Sequence, residues 1–169
     1  MRINVLPNNC LSWNNKNVRC EIGRNGINIR KREGDGVTPA GIFPLRKVFF
    51  RADRLPNPNT GLSTKKLNPE DGWSDDPKDP AYNKLIKRPH PYRHERLWRD
   101  DNIYDVIIEL GQNDSPPRPG WGSAIFIHVA HPERSPTEGC VALKLEDLLL
   151  LLEDCDKMTT INIHNSYKI

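Results

Sequence analysis

The chain has 169 residues, 36% hydrophobic content, 15 prolines and a formal net charge of +3. That length supports one domain over 1–169 with a core of its own. The small positive charge suits contact with anionic polymers, excludes the dense basic footprint of a nucleic-acid binder, and comes with no 18-residue apolar run to span a membrane.

The N-terminus MRINVLPNNC lacks the apolar stretch of a signal peptide. A cytoplasmic protein, a trimmed export signal and another export route all fit that observation. Residues 2–6 (RINVL) read as a first strand. VRCEI (18–22) and INIRK (27–31) alternate and predict a hairpin turned at Asn25-Gly26. The four cysteines, at 10, 20, 140 and 155, include no Cys-x-x-Cys pair, which argues against a structural zinc cluster. Cys10 and Cys20 flank a predicted turn where a disulfide is feasible but not required, and Cys155 reads as a small buried hydrophobe.

REGDGVTPAGIFPL (32–45) holds Gly34, Gly36, Pro39, Gly41 and Pro44, which forbid a helix and predict an ordered loop entering a strand at about 42–50. Plain turn chemistry and a cleft wall are both open readings of it. A phosphate loop is not, because the Gly-x-x-x-x-Gly-Lys-Ser/Thr spacing is absent and no helix follows.

Residues 51–102 lack clear periodicity and carry seven prolines, so they read as a long irregular insert, a lid or binding loop. Within it, KRPHPYRHERLWR sets Arg88, Arg93, Arg96 and Arg99 among aromatics. A solvated face is the default reading, and recognition of substrate carboxylates is the functional one. YDVIIEL (104–110) predicts a strand, GQNDSPPRPGWGS (111–123) a loop, and AIFIHVA (124–130) another strand. LEDLLLLLEDCDK (145–157) predicts the one main helix, with acidic residues near its start, and TTINIH (159–164) a closing strand. The fold class expected is therefore mostly β.

Cys140 follows Thr137-Glu138-Gly139 at a turn twelve residues after His128, which leaves an apolar strand. A thiol nucleophile needs such a neighbour, since imidazole lowers the effective pKa of the thiol, and a glycine lets a carbonyl approach the backbone N–H groups. His131 is a rival base. The Val129 carbonyl is placed to orient the imidazole without a third side chain, and otherwise only Asp105 and Glu109 of the neighbouring strand could supply a carboxylate. A metal set of His128, His131, Cys140 and His90 or His94 matches no common zinc spacing, so neither metal nor cofactor is expected. Trp98 and Trp121 read equally well as cleft walls or core.

HVAHPERSPTEGCVAL resembles the signature of the YkuD-type L,D-transpeptidases, a His before a loop and then Ser/Thr-x-Gly-Cys. KREGDGVTPAGIFPL resembles the family's Gly-Asp-x-x-Thr-Pro-x-Gly-x-Phe segment. Together with the flanking strands the resemblance covers most of 2–164. It implies a β-sandwich or mixed-sheet domain acting on peptidoglycan stem peptides, donor and acceptor. By carry-over Cys140 is the nucleophile, His128 the general base, Val129 the orienter through its carbonyl, and the Gly139 and Cys140 N–H groups the oxyanion hole. Arg88, Arg93, Arg96, Arg99, Trp121, Thr137 and His131 are the candidate substrate contacts. Two features depart from the family: the His-to-Cys interval is short, and Ala142 stands where many members carry an Arg, whose charge the 88–99 insert is placed to replace. Similar compact proteobacterial members join L-Ala of one stem to diaminopimelate of another. The alternative readings are an L,D-carboxypeptidase or endopeptidase that hydrolyses the same stems, and a non-catalytic domain that binds peptidoglycan or a metal. A monomer in the periplasm is expected, from the substrate alone.

Overall fold

A computed structural model describes residues 1–166. In chain order the elements are β1 (Arg2–Leu6), β2 (Cys10–Trp13), β3 (Lys16–Arg19), β4 (Ile27–Asn28), β5 (Thr38–Pro39), β6 (Gly41–Phe50), β7 (Ser63–Lys66), β8 (Asp71–Ser74), β9 (Leu85–Lys87), β10 (His94–Arg96), β11 (Val106–Leu110), β12 (Phe126–Val129), β13 (Val141–Leu143), α1 (Leu145–Glu153) and β14 (Thr160–Ile163). The fold is mostly β, with one helix after the Cys140 turn.

The main sheet runs β13-β12-β11-β6-β14-β1-β2-β3, with β7 added parallel to β6. Its two ends meet, because Glu21 and Ala142 exchange backbone hydrogen bonds of 2.8 Å in each direction just beyond β3. Side chains alternate across this curled sheet as strand geometry demands. Val106, Ile108, Ile127, Val129, Val141 and Leu143 point to the inner core, together with Ile3, Val5, Ile161 and Ile163. Leu148, Leu151 and Leu152 of α1 close that core. Each is fully buried, which contributes about 1.5–3 kcal/mol per side chain.

The intervening positions of the same strands point outward into a second cluster. Phe49, Ile107 and Phe126 meet Leu67, Trp73 and Leu97 from the 51–102 insert, with Cys140 among them. The insert contains a three-stranded antiparallel sheet, β10-β8-β9. Alternation does not reveal it, because all four residues of β8 are buried and the strands beside it are three residues long. Trp73 pins it down, edge-on to Phe126 at 5.1 Å and to Phe49 at 6.2 Å.

Two sequence expectations, the hairpin at 18–31 and the end of the helix, need correction, and the optional Cys10–Cys20 bond is absent. The predicted hairpin of 18–22 and 27–31 does not form. The hairpin at this end is β2–β3, turned at Asn14 and Asn15 with φ of 42° and 63°. A turn does exist at Asn25-Gly26, but Glu21 and Gly23 are already paired with Ala142 and Thr137, so β4 pairs instead with β5. Cys10 and Cys20 are free thiols, as are Cys140 and Cys155. The helix ends at Glu153 rather than 157. No basic residue favours its C-terminal dipole, and the Asp154 carboxylate is drawn aside to accept from Trp13 Nε1 (2.8 Å) and Lys16 Nζ (2.9 Å).

Candidate active site

In the parallel pairing of β12 with β13, His128 stands opposite Ala142. Cys140 lies two residues before Ala142, so its side chain falls on the same face as those of Phe126 and His128. Both His128 and Cys140 line one cavity of about 600 Å3 between the main sheet and the insert.

The turn before Cys140 is held from several sides. Thr137 Oγ1 donates to the Cys140 carbonyl (2.7 Å) and accepts from the Gly139 N–H (3.1 Å). Thr38, from the TPAG segment, donates to the same carbonyl (3.4 Å) and accepts from the Gly23 N–H (2.7 Å). Arg24 N–H donates to the Thr137 carbonyl and Thr137 N–H to the Ile22 carbonyl, both at 2.9 Å. Because Thr137 engages the Gly139 N–H, that group is not the free oxyanion donor the sequence led us to expect.

The two histidines differ in which nitrogen is left basic. His128 Nδ1 lies 2.9 Å from the Val129 carbonyl, a partner that only accepts, so Nδ1 carries the proton and Nε2 is the free base. His131 Nδ1 instead accepts the Glu133 N–H at 3.2 Å, which puts its proton on Nε2 and leaves no basic nitrogen for the cavity. Burial pushes the His128 imidazole down to about 4 and the Cys140 thiol up to about 12. Glu95 also raises the thiol, while the Phe126 N–H and Lys31 oppose the rise. Cys140 Sγ donates to the Ala124 carbonyl (3.2 Å) and accepts from the Phe126 N–H (3.4 Å). The resting pair is thus a neutral thiol and a neutral imidazole. The expected lowering of the thiol pKa is reversed, because desolvation outweighs the neighbouring groups.

Of the other residues singled out in the sequence, Arg93, Arg99, His131 and Thr137 line the cavity. Arg88, Arg96 and Trp121 do not. Arg88 Nε donates to His94 Nε2 at 3.2 Å, and Arg96 is exposed on β10. Trp121 is 47% exposed, with Arg32 4.7 Å and Arg118 5.4 Å from its ring. Trp98 stacks beneath Arg51 at 3.6 Å against the second cluster. Asp105 pairs with Arg54 (2.6 Å) and Asn102 (2.7 Å), and neither it nor Glu109 reaches the cavity. Among the described residues no group of three or more His, Cys, Asp or Glu is placed to hold a metal ion.

Sequence reasoning missed Lys31, Glu95 and Tyr104, all of which line the cavity. The Tyr104 ring sits edge-on to His128 at 5.3 Å, and its hydroxyl donates to Glu95 Oε1 at 2.5 Å. Burial raises the Glu95 carboxyl and pushes Tyr104 well up. Glu95 is brought in by the docking of the insert, whereas Lys31 and Tyr104 come from the chain before β5 and just before β11.

The chain matches the YkuD family, the L,D-transpeptidase catalytic domain, over residues 5–163. Among solved structures, the helical cell shape determining protein Pgp2 from Campylobacter jejuni aligns with 99% of this chain and 48% of its own. The identity there is 15% and the TM-score 0.43. A mutant of the same protein aligns at 18% identity, with a TM-score of 0.41 and the same coverage. The chain therefore spans about half the length of these structures. No curated protein sequence gives a significant match.

Proposed function

The chain belongs to the L,D-transpeptidase catalytic domain family, and we propose that it is a cysteine acyltransferase of peptidoglycan stem peptides, with Cys140 as nucleophile and His128 as base. The observation that carries this is that one cavity is lined by both a thiol and an imidazole whose Nδ1 is fixed on the Val129 carbonyl, leaving Nε2 basic.

Because both groups rest neutral, the proton moves during attack rather than before it. His128 Nε2 takes the thiol proton as Cys140 Sγ bonds to an amide carbon of the donor stem. The tetrahedral oxyanion is met by the Cys140 N–H. Collapse breaks the C–N bond, and His128 returns the proton to the leaving amine, giving a thioester. The side-chain amine of diaminopimelate in the acceptor stem then attacks that thioester. His128 removes the amine's proton and passes it to the departing sulfur. Arg93, Arg99, His131 and Thr137, on the cavity wall, are the substrate contacts, with the arginines matched to stem carboxylates.

We assign the product as the L-Ala-to-diaminopimelate crosslink and the setting as the periplasm, where the substrate lies. Residues 1–169 act as one catalytic domain, as a monomer. Among the described residues no helix is long and apolar enough to cross a membrane. Incubating the protein with disaccharide-peptide muropeptides and resolving products by mass spectrometry tests the assignment. Crosslinked dimers are expected, and fragmentation reports which residues are joined. Shortened monomers alone would replace transfer by hydrolysis. No product from wild type, or equal product from Cys140→Ser, would overturn the acyl-enzyme.

A further inference from the structure

A positive charge is built into the wall beside the Cys140 turn, and it comes from none of the arginines of the insert. Lys31 is buried to 7% exposure and lines the cavity. Its stem passes through a notch left by two glycines. A Cβ on Gly122, at φ +96°, would stand 2.9 Å from Lys31 Cγ and 3.0 Å from Cε. A Cβ on Gly139, at φ +138°, would stand 3.3 Å from Nζ. The ammonium therefore rests against the residue that immediately precedes Cys140.

Asp35, at the centre of the Gly-Asp-Gly loop, fixes that position. Its Oδ1 accepts from Lys31 Nζ and from the Val37 N–H (2.9 Å), and its Oδ2 from the Arg32 N–H (2.6 Å). With its carboxylate shared among three donors, Asp35 orients the ammonium without cancelling all of its field. The arginines that line the cavity come from the insert and are ion-paired there. Arg99 forks onto Asp101 at 2.9 and 2.6 Å, and Arg93 reaches Asp75 at 3.0 Å. Ala142, buried at 1% exposure, supplies no charge to the turn.

We propose that Lys31 is a positioning residue for the reaction, its ammonium stabilising the negative charge that develops on the Cys140 turn as the sulfur attacks. A fixed charge in a water-poor site acts most strongly where charge appears during the step, and needs no reorganisation to do so. The charged and titratable groups that line the cavity with Cys140 are Lys31, Glu33, Asp75, Arg93, Glu95, Arg99, Tyr104, His128, His131 and Glu138, and of these Glu95 and Lys31 act on the thiol. Glu95 disfavours the thiolate and Lys31 favours it, so removing Lys31 leaves only the Phe126 N–H to oppose Glu95. This assignment rests on Cys140 being the nucleophile.

The test is the rate of iodoacetamide alkylation at Cys140 as a function of pH, read by mass spectrometry of the peptide that contains it. Lys31→Met keeps the stem and removes the charge, and Lys31→Arg keeps the charge. If Lys31→Met melts, Lys31→Gln serves as the neutral variant. The neutral variant should shift the rate profile upward by half to one pH unit, roughly three- to tenfold slower at a given pH below the thiol pKa. Lys31→Arg should stay closer to wild type. A folded neutral variant with an unshifted profile overturns the proposal, as does Lys31→Arg matching the neutral variant, since packing would then be the cause. Failure of wild type to convert muropeptides would sink the acyl-transfer reading instead, and the alkylation comparison does not depend on it.

Discussion

Glu21 and Arg134 lie 113 residues apart in the chain, yet the Arg134 Nε donates to Glu21 Oε1 at 2.7 Å. The pair ties the loop between His128 and Cys140 to the strand end that closes the main sheet. Glu21 is 2% exposed, and it also accepts from Arg19 Nε (3.2 Å) and Asn9 Nδ2 (3.3 Å). Its own backbone pairs with Ala142, so one residue fixes both sides of the Cys140 turn. Glu21→Ala strips three donors of their acceptor and leaves the guanidinium of Arg134, at φ +54°, only its Nη2 contact with the Arg19 carbonyl at 3.3 Å. Because Arg134 keeps a path to water, the loss falls at the lower end for a broken buried ion pair, about 2–3 kcal/mol. Urea unfolding should report it. An unchanged midpoint would show that backbone pairing alone holds the loop.

His128 makes stability depend on pH with a definite sign. Its imidazole falls from the ordinary 6.5 to about 4 in the folded protein because burial disfavours the charged form. Between these values the unfolded chain binds a proton that the folded chain refuses, so stability rises with pH there. The contribution is complete above 6.5 and is lost as pH drops towards 4, amounting to up to about 3 kcal/mol. Glu95, raised by burial, acts in the opposite direction. The difference between wild type and His128→Gln isolates the imidazole. The melting temperature of wild type should fall more steeply than that of the variant from pH 7 to pH 4. Parallel curves would mean that His128 titrates normally when folded.

How much of this was legible beforehand depended on whether a feature is local. The strands at 2–6, 42–50, 104–110 and 159–164 showed in apolar patterning, because each buries one or both faces in the main sheet. Cys140, His128 and the Val129 carbonyl sit within one strand–turn unit, so their proximity could be read from spacing. The hairpin at 18–31 was misread because its turn residues are genuine, while the pairing partner of Glu21 lies 121 residues onward at Ala142. Lys31 read only as the end of a predicted hairpin strand, since nothing local marks a lysine that threads between Gly122 and Gly139. Glu95 and Tyr104 were hidden for the same reason. Proximity had also suggested an activated thiol, whereas burial, which spacing does not report, leaves both groups neutral.

Trp73 should control whether the insert stays docked. Its ring is 4% exposed between Phe49 and Phe126, and its Nε1 donates to Asn83 Oδ1 at 2.9 Å. It also stands opposite Glu95 in the β8–β10 pairing, so it positions a cavity carboxylate. Trp73→Ala is expected to cost about 3–5 kcal/mol. Limited trypsin digestion should then cut first at Lys78, Lys84 or Lys87. If the variant resists digestion as wild type does, β8 is held by its neighbours and not by the indole.

Gly139 separates strain from chemistry at the Cys140 turn. Its φ of +138° is a conformation that side chains strongly disfavour, and an added Cβ would stand 2.7 Å from the Val37 carbonyl oxygen. Gly139→Ala should therefore lose about 1–3 kcal/mol of stability, visible by thermal melting. The same methyl would press on Lys31 Nζ, displacing the ammonium from the turn. Gly122→Ala presses on the Lys31 stem from the other side of the notch, without touching the Cys140 turn. Both variants should slow Cys140 alkylation, and only Gly139→Ala should also strain the turn that carries the thiol. Equal alkylation in Gly122→Ala and wild type would mean that the notch does not set the position of the charge.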